Sequence, residues 1–159
     1  MTTVRPAGRQ DVAQILSFVR ELAAFEREPD AVEATEPMLV DALFGERAAA
    51  EAVIAEVDGE AAGFALFFHN FSTWTGRRGL YLEDLYVTPA ARGHGVGSAL
   101  LRHLARLAVE RGCARFEWSV LDWNADAIAF YRAVGAVGMD EWTVHRVAGP
   151  ALERLAGRG

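Results

Sequence analysis

The 159-residue chain has no lysine; all 16 of its basic residues are arginine. A Walker-type phosphate loop ends in Gly-Lys-Ser or Gly-Lys-Thr, so that motif is excluded. Cysteine is nearly as scarce. The lone Cys113 cannot close an internal disulfide, which suits a reducing cytoplasm, and its residue type fits a small buried hydrophobe better than a catalytic thiol. No apolar run approaches the roughly 18 residues of a membrane span, and the opening MTTVRPAGRQD has no signal-peptide core, so no membrane partner is expected. The net charge of −6 argues against nucleic acid and is compatible with a cationic substrate. His94, His103 and His145 lack metal-ligand spacing, so no metal is expected. There is no repeat, low-complexity tract or Ser/Pro linker, which implies one domain over residues 1–159.

What is present is ordinary for a globular chain: 52% hydrophobic and 24% charged residues, long enough for a sizeable core. TVRPA is a strand candidate, and Val12, Ile15, Leu16, Val19, Leu22 and Ala23 fall at helical spacing within 10–26. Thr35 reads as the N-cap of a second helix, with Pro37 in its first turn and Gly45 closing it. EAVIAEV and GFALFFH flank Asp58-Gly59 as an antiparallel hairpin, and RGLYLEDLYV follows as a further strand ended by Pro89. A helix over 96–111 carries Leu100, Leu101, Leu104 and Leu107 on one side. ARFEWSVL is a strand, 124–134 a short helix, and EWTVHRV a last strand. The order β-α-α-β-β-β-α-β-α-β is a mixed α/β layout, with hairpins before the crossover.

The chemistry concentrates in YLEDLYVTPAARGHGVGSALL, residues 81–101. A helix start offers backbone N–H groups without internal partners, together with the positive end of the helix dipole. Gly93, Gly95 and Gly97 strip side chains from such a start, Arg92 can add a charged contact, and Ser98 adds a hydroxyl. The structural alternative is a tight strand-to-helix connection that merely needs glycine. Three glycines in five residues beside an arginine favour a phosphate. A dinucleotide fingerprint fits poorly, because Ser98 stands where it has Gly or Ala and the turn comes some 90 residues into the chain.

Arg92, Gly95 and Gly97 in Arg-x-x-Gly-x-Gly, with NADAIAFYRAVGA after them, resemble the two signatures of the GNAT superfamily of N-acetyltransferases. ELAAFERE, YLEDLYV and RGHGVGSALL further resemble its spermidine/spermine and thialysine acetyltransferase branch. The resemblance implies a mixed, mostly antiparallel twisted sheet with helices on both faces, acetyl-CoA as co-substrate, and a homodimer. It implies cofactor contacts along 85–87 (Leu85, Tyr86, Val87) and along the turn, where His94 and Val96 join Arg92, the three glycines and Ser98. Asn124 adds one more. A bulge near Leu85–Val87 would free backbone groups for the pantetheine arm, with the Val87 amide as oxyanion donor.

Acetyl transfer from a thioester needs a neutral amine, yet a group of pKa near 10.4 is only about one part in a thousand neutral near pH 7.4, a cost of roughly 4 kcal/mol. Glu83 is the candidate base, acting through a water. Alternation puts Glu83 and Asp84 on opposite strand faces, so both can line one pocket only if the strand is irregular. Their plain alternative is solvated strand charge partnered by Arg77 or Arg78. Tyr131 lies two helical turns after Asn124, on nearly the same face, and by resemblance protonates the leaving thiolate; its alternative is a core aromatic packed with Phe130 and Ile128. Phe25, Glu26, Glu83, Asp84, Glu117 and Trp118 form the expected lining of a pocket for a small cationic amine. Arg77 and Arg78, expected near its mouth, point to an amine smaller than spermidine. The expectation is a cytoplasmic N-acetyltransferase; a transferase for protein N-termini or antibiotic amines, or a non-catalytic acyl-CoA sensor, are the alternatives.

Overall fold

The computed structural model describes residues 1–158, which divide into two compact units, 1–121 and from residue 122 onward. In the first unit a five-stranded sheet runs in chain order: β1 (Thr2–Pro6), β2 (Glu51–Val57), β3 (Glu60–Ser72), β4 (Arg77–Val87) and β5 (Phe116–Trp118). The first four strands pair antiparallel and β5 lies parallel to β4. The β2–β3 hairpin turns at Asp58 and Gly59, with φ of 52° and 84°; the left-handed pair is what a two-residue turn between twisted strands requires.

Helix α1 (Val12–Phe25) follows a 3-10 turn at Arg9–Asp11, and α2 (Glu36–Phe44) starts where expected, with Thr35 Oγ1 accepting from the Met38 amide at 3.4 Å. Both pack on one sheet face, where Ile15, Phe18 and Leu43 meet Ala52, Ile54, Phe64 and Tyr86. Phe18 stacks on Phe64 at 5.8 Å and tilts against Tyr86 at 5.6 Å. The other face carries Val53, Ala65, Phe67, Leu80 and Leu82, all buried, and α3 (Val96–Glu110) buries Val96, Leu100, Leu101, Leu104 and Ala108. Arg111, just past α3, lies 5.9 Å over the Phe67 ring and grips Glu51 at 2.7 and 2.8 Å.

The second unit holds α4 (Ala125–Ala133), capped by the Asn124 side chain, which accepts from the Ala127 amide at 3.3 Å, and α5 (Gly149–Leu155). The expected last strand EWTVHRV is not formed. Residues 141–147 are irregular and exposed, with Trp142 66% and Val144 80% accessible. Strand-forming side chains alone do not make a strand, because its backbone groups need a paired edge. The expected strand over 114–121 likewise contracts to the three residues that pair with β4.

Asp11 is the one buried charged residue among those described. It takes Arg5 bidentately at 2.8 and 2.9 Å and the Gly8 amide at 2.7 Å, tying β1 to the start of α1. The Arg5 guanidinium holds the Asp11 carboxyl below its ordinary range against the opposing effect of burial. The folded-state value is depressed, so the contribution to stability is present above about pH 4 and lost as pH falls through it. Asp11→Asn is expected to cost about 1–3 kcal/mol at pH 7, measured by urea unfolding, with the gap to wild type closing below pH 4.

Candidate active site

Ten residues of β3 face partners on β4, but the register slips by one: Leu66 opposes Asp84 and Phe67 opposes Leu82. Glu83 is therefore the extra residue of a bulge. The expected irregularity exists, but it lies at Glu83 rather than near Leu85–Val87. Side chains alternate with period two, so one extra residue reverses every facing beyond it. Leu82, opposite Phe67, belongs to the α3 face. Asp84, opposite Leu66, belongs to the α1 face with Tyr86. Pairing with β5 also stops at Leu82, so from Glu83 to Val87 the other edge of β4 has no strand partner among the described residues.

The reversal gathers three carboxylates: Glu26, the residue after α1, together with Glu83 and Asp84. Burial first, then Glu83 and then Glu26, push the Asp84 carboxyl up to about 6. Burial, then Glu83, raise Glu26 as well. Glu83 itself is exposed. The charges that displace Glu26 and Asp84 are the neighbouring carboxylates and not an arginine. Arg77 and Arg78 open β4 opposite Ser72 and Phe71 at the hairpin tip, and at ~3.3 Å per residue Arg78 is about 16 Å along the strand from Glu83. The expectation that they flank the mouth is corrected.

After β4, Pro89–Ala91 form a 3-10 turn and Arg92 is extended. Gly93 and Gly95 adopt φ of 80° and 79°, and Gly95 caps α3 without any side-chain capping bond. That left-handed geometry is what glycine supplies here, and it turns the chain so that the first amides of α3 open outward. Gly93, His94 and Gly95 are exposed, while Val96 is 1% exposed and anchors the helix in the core. The side chains of Val96 and Tyr86 are committed to packing, so only their backbone is available to a ligand.

Arg92 does not point into the turn's open side. Its Nε donates to the Val87 carbonyl at 3.1 Å, and its guanidinium sits 5.2 Å over Phe25 and 5.7 Å over Tyr86. The Tyr86 hydroxyl donates to Glu21 Oε1 at 3.0 Å. Glu21 and this use of Tyr86 were not read from the sequence; the available signal was the stripe Phe18, Glu21, Leu22, Phe25 on one helix face. Glu117 opposes Tyr81 and accepts from Asn70 at 3.4 Å, outside the group of carboxylates around Asp84. Trp118 opposes Leu82, with its ring edge-on to Phe116 at 4.9 Å. Leu85 pairs with Ala65 in β3, and Ser98 lies in the first turn of α3. In the second unit Asn124 caps α4 and Tyr131 lies in its last turns, its ring 5.5 Å from Phe130.

Comparison with known proteins agrees in direction. The profile of the acetyltransferase (GNAT) family matches residues 16–136. The chain is 38% identical over 166 residues to a thialysine N-epsilon-acetyltransferase of Sus scrofa, covering 98% of this chain and 97% of that protein. It is 35% identical over 143 residues to spermidine/spermine N(1)-acetyltransferase-like protein 1 of Homo sapiens, covering 86% of this chain and 20% of that protein. A solved integron cassette protein from the mobile metagenome of V. cholerae superposes with a TM-score of 0.81 at 27% identity, covering 98% and 97% of the two chains.

The raised Asp84 value carries a stability consequence of definite sign. Its folded pKa of about 6 exceeds its ordinary 3.8, so the folded state holds the proton more tightly and stability falls as pH rises between about 4 and 6. At 1.36 kcal/mol per unit the loss is at most about 3 kcal/mol. Asp84→Asn is expected to raise the melting temperature above pH 6 and flatten that fall; thermal unfolding across pH 4–8 checks it.

Proposed function

This chain belongs to the GNAT acetyltransferase family and is an N-acetyltransferase, and on that premise we propose that it transfers an acetyl group from acetyl-CoA to a primary amine of a small cationic substrate. The amine is thialysine-like, a diamine or a polyamine, and it attacks directly in a ternary complex. The observation that carries the reading is the carboxylate group Glu26–Glu83–Asp84 at the bulge, in which burial and like charge raise both Glu26 and Asp84. A second positive charge on the substrate offsets that repulsion. The similarity to thialysine N-epsilon-acetyltransferase and to a spermidine/spermine N(1)-acetyltransferase-like protein supports the same class.

Acetyl-CoA supplies a thioester activated for attack by nitrogen. The residues present fit it: the left-handed glycines open the amides of the α3 start to a pyrophosphate, and the free edge of β4 offers backbone groups to an extended arm. In the proposed reaction Glu83, exposed at the bulge, accepts the ammonium proton through water. Asp84 and Glu26 hold the substrate's positive charge. The Val87 amide donates to the oxygen that gains charge; such a donor is worth about 3 kcal/mol. Tyr131 protonates the departing sulfur, and Asn124 contacts the cofactor. A cytoplasmic location and a homodimer belong to the same reading, the homodimer by resemblance.

Coenzyme A release measured against spermidine, putrescine, thialysine, lysine and short peptides tests the assignment. Turnover concentrated on one thialysine-like or polyamine substrate is expected. Tight coenzyme A binding with no turnover on any amine overturns it in favour of a sensor. Tyr131→Phe is expected to lower kcat about 100-fold with acetyl-CoA affinity unchanged; an unaltered rate removes Tyr131 from the mechanism.

A further inference from the structure

We infer that Arg92 is a positioning residue for the amine end of the site and not a ligand of the cofactor phosphate, an inference that rests on the function proposed above. Its place just before the glycine turn suggests a phosphate contact, yet its side chain is already engaged elsewhere. Nε donates to the Val87 carbonyl at 3.1 Å, and the guanidinium plane lies over the rings of Phe25 and Tyr86 at 5.2 and 5.7 Å. These contacts lead back along β4 and onto α1.

Phe18, Glu21 and Phe25 occupy one face of α1, three and then four residues apart. Phe18 packs on Tyr86, Glu21 accepts from the Tyr86 hydroxyl, and Phe25 lies under Arg92. The first two contacts seat the middle of the helix. The third seats its last residue, and Glu26 follows immediately. Arg92 is not among the charges that bear on Glu26 or Asp84, so its influence passes through placement and not through its field. The backbone amides of the turn can take up a pyrophosphate without it. A planar guanidinium that stacks and donates at once is not replaced by an ammonium.

Arg92→Gln, Arg92→Lys, Phe25→Ala and the double variant Arg92→Gln/Phe25→Ala test this in the full chain. Expected for Arg92→Gln is a five- to tenfold rise in amine KM, with coenzyme A affinity by calorimetry within threefold of wild type. Arg92→Lys restores little of the amine KM. Phe25→Ala gives a similar rise, and the double variant is no worse than the worse single one. A tenfold loss of coenzyme A affinity with amine KM unchanged overturns the inference, as does full additivity of the two substitutions. If wild type turns over no amine, the proposed function fails by itself. Arg92 is then decided by calorimetry and by whether the two substitutions are non-additive in melting temperature: additive shifts overturn the placement, non-additive shifts with retained coenzyme A binding uphold it.

Discussion

One extra residue in β4 governs the rest of this structure. Leu80 and Leu82 point into the core under α3 and are essentially inaccessible. With an unbroken two-residue period Asp84 would follow them there, an unpaired carboxylate in an apolar layer, at a cost of several kcal/mol or by staying protonated. The bulge at Glu83 turns Asp84 instead to the α1 side, in phase with Tyr86. The same irregularity coincides with the end of β5 pairing. A strand that must carry Leu-Glu-Asp-Leu and still pack on both faces has few other solutions, and this one opens a sheet edge beside the acids.

Gathering carboxylates is unfavourable, and the surrounding packing has to hold them. The stacked Phe18, Phe64 and Tyr86 fix α1 against β3 and β4, and the Tyr86–Glu21 bond adds a polar lock at the rim of that apolar layer. At the other end of α1, the bidentate Arg5–Asp11 pair seats the helix start on β1. Beyond those anchors the C-terminal end of α1 carries Glu26 to the bulge. Asp84 records the resulting strain in its displaced titration, burial being the first cause and like charge the next. Functional sites commonly sacrifice stability of the empty protein in this way.

Much of this was legible beforehand, for reasons that differ by element. The Thr35 cap, the Asp58-Gly59 hairpin and the glycine turn each rest on a local rule about one residue type in one backbone geometry, and each appeared where expected. The bulge was expected but misplaced by a few residues, because alternation announces that Glu83 and Asp84 conflict without saying which residue yields. The strands over 114–121 and 141–147 were overread: valine, tryptophan and threonine mark a chain able to pair, while pairing itself depends on an edge that no local pattern encodes. Arg92 was assigned by its neighbours in sequence. Its contacts in space are set by α1, some seventy residues earlier.

The bulge also separates the two adjacent acids by environment, which bears on how they share the proposed chemistry. Asp84 is largely desolvated, where a charge is held by few water dipoles and a neighbouring cation is worth most. Glu83 stands exposed on the extra residue, with water at hand. A base that removes an ammonium proton through water needs that access, and a group that binds positive charge gains from its absence. Two carboxylates side by side in sequence thus acquire different surroundings from one inserted residue, much as acid pairs in other sites divide their roles by burial. Moving the bulge by a single position would exchange their surroundings without altering the sequence of either.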